Sequence, residues 1–456
     1  MGVAPEWREL SRSDPTAGTD GLRRALSTWD LTWLVFGNVI GSGIFIVPSV
    51  VLRQSGSVSV ALSVWVIGGV LSLFGALAYA ELGAMDAGAG GLYAFVRDAF
   101  GQFAAFLVGW TMFFGIGGGT IAALSVAATN YLGEFAILGD VVAKVIAVVL
   151  IAIIGAITIS GIRRSATVQN WGALVKLGAV VVMSVMLIAA GDGGPPLSEP
   201  STDVSTVALL SAAGTAMISV LWAYEGWQYV TFSAGEAKDP RRSLPLAIGL
   251  GVAGIAAVYL LANFAYLSAI GAAGVAATDR VAADAMTSVF GAWAGKVIAA
   301  VIILSMVSAA LSVAITMPRG YFSMARDGVF FPSFARVHPK FGTPAAAIAG
   351  LCAWAAVLTL SGTFEELLAY VIFVGWIFYA LAAAAVIVLR KKRPHAERPY
   401  RVPGYPMTPI LFVLAAALLV INTIAAQPRV AGIGLLMVFA GAPAYWYWRR
   451  KTTVTP

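Results

Sequence analysis

Gly37-Asn38-Val39-Ile40-Gly41-Ser42-Gly43-Ile44-Phe45 lies in the middle of an apolar stretch that runs from 29 to 52. Such a stretch spans a bilayer core as one helix, which takes about 20 residues. Yet its central Gly-Ser-Gly, followed by Pro48, removes helix propensity where a spanning helix should be most regular. A second stretch, from 206 to 234, has the same fault: Trp222-Ala223-Tyr224-Glu225-Gly226-Trp227 sets a carboxylate and a glycine at mid-span. The sequence predicts that the chain unwinds at both places. Unwound backbone in hydrocarbon strands N–H and C=O groups, so it persists only beside protein, water or a polar ligand. The half-helix that follows Gly43 would turn free N–H groups and a positive dipole end toward an anion, while carbonyls ending the preceding half-helices would face a cation. A zwitterion carries both charges.

Outward from these two breaks, the 456 residues are 59% hydrophobic and 11% charged, too few charges to keep a soluble domain of this size in water. Apolar stretches lie at 29–52, 57–84, 99–131, 139–160, 167–190, 206–234, 244–270, 285–316, 344–361, 365–390, 406–426 and 430–448. The expected fold is therefore an all-α membrane protein of about twelve transmembrane helices. The interrupted stretches are the first and the sixth, each heading a group of five. That is the pattern of a 5+5 inverted repeat with discontinuous helices 1 and 6 and a ligand at the repeat interface, with two further C-terminal helices. No repeat is detectable residue by residue. Gly41-Ser42-Gly43 alone would also serve as a packing seam; its match in the sixth stretch favours a site. The chain divides into a tail over 1–28, a ten-helix core over 29–390, a loop with helices 11 and 12 over 391–448, and a short tail over 449–456.

The net charge of +7 comes from position rather than from a nucleic-acid surface. Arg23 and Arg24, Arg97, Arg163 and Arg164, Lys238 with Arg241 and Arg242, Arg319 to Lys340, Arg390 to Arg393, and Arg449 to Lys451 fall on alternate connections. The others carry few basic residues, among them Arg53, Arg280 and Arg429. The positive-inside rule then puts both termini in the cytoplasm of a multi-pass protein of the cell (inner) membrane. The polar start, MGVAPEWRELSRSDPTAGTDGLRR, lacks a signal peptide's apolar core. Cys352 is alone, and His338 and His395 fall in connections, so no metal site and no cofactor is expected.

Lys176 is the one basic residue expected deep in a span, within Gln169-Asn-Trp-Gly-Ala-Leu-Val-Lys-Leu-Gly178. A charge at mid-bilayer costs roughly 2.5–3.5 kcal/mol, so such residues carry a function or a partner. Glu81 and Glu236 are expected near span ends, either as interfacial acids or paired with basic loop residues to close a gate. Gly115-Ile-Gly-Gly-Gly119 would let a backbone approach closely, either to a neighbouring helix or to the substrate, and reads first as a packing surface.

On these residues the sequence resembles the amino acid/polyamine/organocation superfamily, closest to bacterial relatives of L-type amino acid transporters. The likeness covers most of the chain. It includes Gly37 to Phe45, AYAELG over Ala78 to Gly83, and Trp222 to Trp227 followed by Gly235-Glu-Ala-Lys-Asp-Pro-Arg-Arg-Ser-Leu-Pro245. It continues in Pro318-Arg-Gly-Tyr-Phe-Ser-Met-Ala-Arg-Asp-Gly328 and Arg398-Pro-Tyr-Arg-Val-Pro-Gly-Tyr-Pro406. The resemblance implies that a substrate carboxylate meets the backbone at Gly41, Ser42 and Gly43, with the Ser42 hydroxyl as a further donor. The substrate's amino group would meet the carbonyls of Val39, Trp222, Ala223 and Glu225, under a gate formed by Trp222. It places the Lys176 ammonium where sodium-coupled relatives hold a metal ion, near the Gly41 carbonyl and Ser308 or Ser312.

The expected function is sodium-independent secondary transport of amino acids by alternating access, as proton symport or as exchange, Lys176 acting either as proton carrier or as fixed strut. Glu225 departs from the glycine common in L-type members, though some bacterial relatives carry an acid there; it would cap the broken backbone, sense protons, or contact a cationic side chain, which leaves open a cationic amino acid or polyamine carrier. A non-transporting sensor is the alternative of another class; an enzyme lacks its base, nucleophile or metal cluster within the spans. The expected partners are an amino acid, the lipid bilayer and, for symport, protons. No nucleic acid is expected, and no disulfide-linked ancillary subunit, since Leu132 to Asp140 contains no cysteine.

Overall fold

The computed structural model describes residues 21–85, 88–192, 206–361 and 364–453; most of the expected N-terminal tail lies outside them. Among the described residues all regular elements are helical, apart from a lone β-bridge between Leu26 and Ala237. Nine helices among the described residues are long and apolar enough to cross a membrane unaided. In chain order these are spans 2 (Val58–Met85), 3 (Gln102–Leu132), 4 (Asp140–Ile159), 5 (Ile162–Ala190), 7 (Pro240–Ala277), 8 (Ala292–Arg326), 10 (Phe364–Lys392), 11 (Met407–Ala426) and 12 (Pro428–Arg450). Span 9, Ala345–Ser361, is shorter. Spans 1 and 6 are broken, which completes twelve.

Span 1 consists of helix 1a, Thr28–Val39, and helix 1b, Gly43–Ser55, bent by 48° across Ile40-Gly41-Ser42. Helix 1a opens on a capping box: the Asp30 amide donates to Ser27 Oγ (3.2 Å) and the Ser27 amide to Asp30 Oδ2 (2.8 Å). Span 6 consists of helix 6a, Thr206–Ala223, then Tyr224-Glu225-Gly226, then helix 6b, Trp227–Glu236, which is a 3₁₀-helix throughout. Ten residues of 3₁₀ is far beyond the usual single turn and marks a segment held out of its preferred winding.

Hydropathy misplaced some boundaries because glycine breaks do not lower it. Residues 99–100 belong to a separate helix, Gly91–Phe100, cut from span 3 at Gly101 (φ 95°). Likewise Val281–Phe290 is cut from span 8 at Gly291 (φ 86°). Span 8 also continues past its expected end, through Pro318–Arg326. The Gly115–Gly119 run packs closely at Gly118, where a Cβ would lie 2.4 Å from Trp354, while its Ile116 faces the central cavity.

Helix 1b packs on 6a and 1a on 6b, so the broken spans run antiparallel with their breaks side by side. Spans 2 and 7, 3 and 8, and 4 and 9 also pack in pairs, as equivalent elements do about a two-fold axis through the centre. Alternate connections gather Arg23, Arg163, Arg164, Arg241, Lys340 and Arg393 on one face, the basic face. Arg53, Glu134 and Arg280 mark the opposite face.

Candidate functional site

A cavity of about 270 Å³ lies at the two breaks. Asn38, Val39, Gly41, Ser42 and Gly43 line it from span 1, and Trp222, Ala223, Glu225 and Tyr229 from span 6. Ile116, Thr120, Ala123, Leu124 and Ala127 of span 3 and Ala309 and Val313 of span 8 complete the wall. The span-3 contribution comes from its middle and from the half toward the opposite face, so the cavity extends away from the basic face. The seven residues expected to meet substrate all lie on this wall; Lys176 does not.

Helix 1b starts at Gly43 with no side-chain cap at Ser42, and its first N–H groups, which have no intrahelical acceptor, open on the cavity that Ser42 and Gly43 line. Close approach fixes the glycines here. A Cβ on Gly43 would lie 3.2 Å from the Ala223 Cα and Cβ, and Gly226 (φ 122°) backs onto the Asn38 carbonyl, 2.6 Å from its own notional Cβ. The breaks thus touch backbone to backbone. The Tyr259 hydroxyl of span 7 spans them too, donating to the carbonyls of Val39 (3.2 Å) and Ala223 (3.1 Å).

Lys176 is fully buried behind the span-1 break and donates to the carbonyls of Gly37 (3.0 Å) and Ile40 (2.5 Å). The expected contact to Gly41 falls instead to Ser305, which donates to Ile40 O (3.2 Å) and Gly41 O (3.1 Å). The difference is one of register: Ser308, about a turn further along span 8, gives its hydroxyl to Gln169 Oε1 (3.1 Å), and Ser312 to the Ser308 carbonyl (3.0 Å). One ammonium and two hydroxyls, those of Ser305 and Tyr259, therefore take up carbonyls that helix 1a releases where it ends.

Glu225 sits at the span-6 break, where Oε1 accepts from both the Tyr229 hydroxyl (2.8 Å) and the Tyr379 hydroxyl (2.6 Å). Sequence reasoning missed this pair, as it missed Tyr259; tyrosines within otherwise apolar spans were the available signal. It also missed Asn38, whose buried amide has no hydrogen-bond partner. Among the described residues no group of three or more His, Cys, Asp or Glu is placed to hold a metal ion.

Toward the basic face, at the far end of helix 6b and the ends of spans 2 and 10, lie buried ion pairs. Arg319 donates to Glu236 through Nε (2.8 Å) and Nη2 (3.0 Å), both side chains 0% exposed. Glu81, equally buried, accepts from Arg390 Nε (2.9 Å) and Nη2 (2.6 Å) and from the Val402 amide (2.7 Å). The interfacial reading of these two acids is thereby corrected, and Lys176 is not the one cation inside: Arg319, expected in a solvated connection, lies in helix, its charge tolerable because Glu236 meets its fork. Asp327 accepts from Tyr93 Oη (2.7 Å) and Arg97 Nη1 (2.8 Å). Burial and the Asp327 charge push the Tyr93 phenol well above its usual range; burial opposes the Arg97 charge, but Asp327 and Asp98 hold its proton more tightly than usual.

The chain matches the amino acid permease family over residues 26–442. The serine/threonine exchanger SteT of Bacillus subtilis (strain 168) is 31% identical over 437 residues, covering 95% of this chain and 98% of that protein. The human large neutral amino acids transporter small subunit 2 is 30% identical over 465 residues, 97% of this chain and 84% of its own length. The human cystine/glutamate transporter is 29% identical over 425 residues, 92% of this chain and 84% of its own.

Proposed function

The chain belongs to the amino acid permease family, a family of transporters and not of enzymes, and on that premise we propose that it is a sodium-independent carrier exchanging amino acids across the cell membrane by alternating access. One observation carries sodium independence: the Lys176 ammonium at the carbonyls of Gly37 and Ile40, where the end of a broken helix would otherwise call for a metal ion. Exchange rather than proton symport is favoured by the relative named an exchanger. The substrate carboxylate meets the N–H groups of Ser42 and Gly43 and the Ser42 hydroxyl, beside Gly41. The ammonium meets the carbonyls of Val39, Trp222, Ala223 and Glu225, and Trp222, half-buried on the wall, closes over it.

The ten-span core over 29–390 does the transport, with the last two spans packed outside it. The basic face is cytoplasmic and holds both termini. No disulfide-linked subunit is proposed, since Cys352 is buried against Gly155 and away from any surface connection. A second reading, a carrier for cationic amino acids, rests on Glu225, which faces the cavity with Oε1 held by two tyrosines. A polyamine is disfavoured: it brings no carboxylate to the start of helix 1b.

Proteoliposome uptake tests the first reading. Counterflow driven by internal amino acid should persist when sodium is replaced by choline, and a strict sodium requirement would overturn it. Lys176→Ala, which takes the ammonium from the Gly37 carbonyl and leaves the Ile40 carbonyl to Ser305 alone, should cut exchange at least a hundredfold while the protein still elutes as a folded species; an unchanged rate and pH response would remove Lys176 from the mechanism. Gly43→Val should abolish binding, since its methyls would wedge spans 1 and 6 apart at Ala223, and retained affinity would contradict the site.

A further inference from the structure

A second cavity, of about 470 Å³, opens on the basic face between the chain ahead of helix 1a, the connection from span 4 to span 5, and the connection from span 8 to span 9. Arg23, Arg163, Arg164 and Lys340 line it, and no acidic side chain does. Arg163 spends its charge on Asp30 (2.8 Å). Arg23, Arg164 and Lys340 have no acidic partner among the described residues, so three cations from three different segments face one space uncompensated. All three are exposed, so solvent screens part of their mutual repulsion, and an anion that enters the cavity relieves the rest.

The geometry points to a phosphate group as that anion, and we propose this cavity as a phosphate site, filled by the headgroup of an acidic phospholipid or by free phosphate. A phosphate offers several strong acceptor oxygens to donors arriving from separate directions, which suits two guanidinium forks and an ammonium better than one carboxylate does. Its level agrees. Ser160 caps span 4 and Ile162 starts span 5, so the cavity lies at helix ends, where headgroups meet the hydrocarbon. Ala25, Ile162 and Phe341 give it an apolar side beside the cations. The Arg23 stem is seated, not loose: it crosses Gly342, where a Cβ would lie 3.1 Å from its methylenes.

The site would act on the gate. The amides of Ala25 and Leu26, just after Arg23, both donate to the Glu236 carbonyl at 2.9 Å, at the end of helix 6b. A phosphate bridging Arg23 to Arg164 and Lys340 therefore ties the segment that closes the basic face to spans 5 and 9, and favours the closed form.

The test uses the purified full chain in detergent, titrated separately with dioleoylphosphatidylglycerol, dioleoylphosphatidylcholine and inorganic phosphate, reading bound lipid by native mass spectrometry and protection by thermal unfolding. The combined variant Arg23→Gln, Arg164→Gln, Lys340→Gln should bind its preferred probe roughly a hundredfold more weakly, at about fivefold per cation at a lipid surface. Lys391→Gln, exposed and outside the cavity, should bind like the unaltered chain. Preference for phosphatidylglycerol over phosphatidylcholine identifies a headgroup; protection by inorganic phosphate with no lipid preference identifies the free ion. Either result, lost in the combined variant, supports the site. Equal binding by variant and unaltered chain, or an equal loss in Lys391→Gln, overturns it. Should the combined variant not fold, Arg164→Gln alone must show its fivefold loss, and no loss overturns the site in the same way.

Discussion

Both faces of this molecule carry ion pairs, but beside exposed ones such as Arg241–Glu397 the basic face holds a buried class that the described residues of the opposite face lack. On the basic face, Arg319–Glu236 and Arg390–Glu81 have their carboxylates wholly out of water, each met by a two-pronged guanidinium. On the opposite face, Arg53–Asp279 (2.8 Å) is 41% and 83% exposed and Arg280–Glu134 (2.7 Å) 44% and 36%. Coulomb attraction at similar distances is strong in the first setting and screened in the second. The opposite face is thus held lightly and the basic face firmly, in keeping with a cavity that extends along span 3 toward the opposite face. In an alternating-access cycle, opening the basic face would part the more strongly coupled charges.

The sharpest way to break this comparison is Arg319→Ala. It strands the Glu236 carboxylate without charge or water, and should lower stability by about 3–5 kcal/mol in thermal or denaturant unfolding. Adding Glu236→Gln should recover much of that loss, and a failure to recover would mean that Arg319 contributes packing rather than charge. Next, Glu81→Gln keeps the shape but removes the carboxylate that serves Arg390 and the Val402 amide, for an expected loss of about 1–3 kcal/mol. Smallest is Arg53→Ala, expected within about 1 kcal/mol and indistinguishable from the unaltered chain in high salt. An Arg53 effect as large as that of Arg319, or a salt-resistant one, would erase the difference between the faces.

Much of the fold was legible in the sequence because lipid makes the rule simple: spans are long apolar runs, and the Gly-Ser-Gly at 41–43 and the Glu-Gly at 225–226 interrupt them openly. Seven of the nine residues that spans 1 and 6 give to the cavity wall lie at those interruptions and were named through the family resemblance; Asn38 and Tyr229 were not. What sequence could not give was rotation and height. Ser305 rather than Ser308 reaches the Gly41 carbonyl because of how span 8 is turned against span 1. Tyr229 and Tyr379 lie 150 residues apart and meet at Glu225 only in the folded chain. Arg319 looked like a loop cation because nothing local announces the carboxylate 83 positions earlier that draws it inside.

Helix 6b has one more consequence, a matter of thread pitch. A 3₁₀-helix rises about 2.0 Å per residue and an α-helix about 1.5 Å. Across its ten residues, rewinding from one to the other would shorten the segment by about 5 Å and turn one end against the other by roughly half a revolution. One end adjoins Glu225 in the cavity, and the other carries Glu236 in its clasp with Arg319. A screw between a binding pocket and a lock converts a twist at the first into a pull on the second. Distances between spin labels flanking residues 227 and 236 would register the stroke as substrate is added.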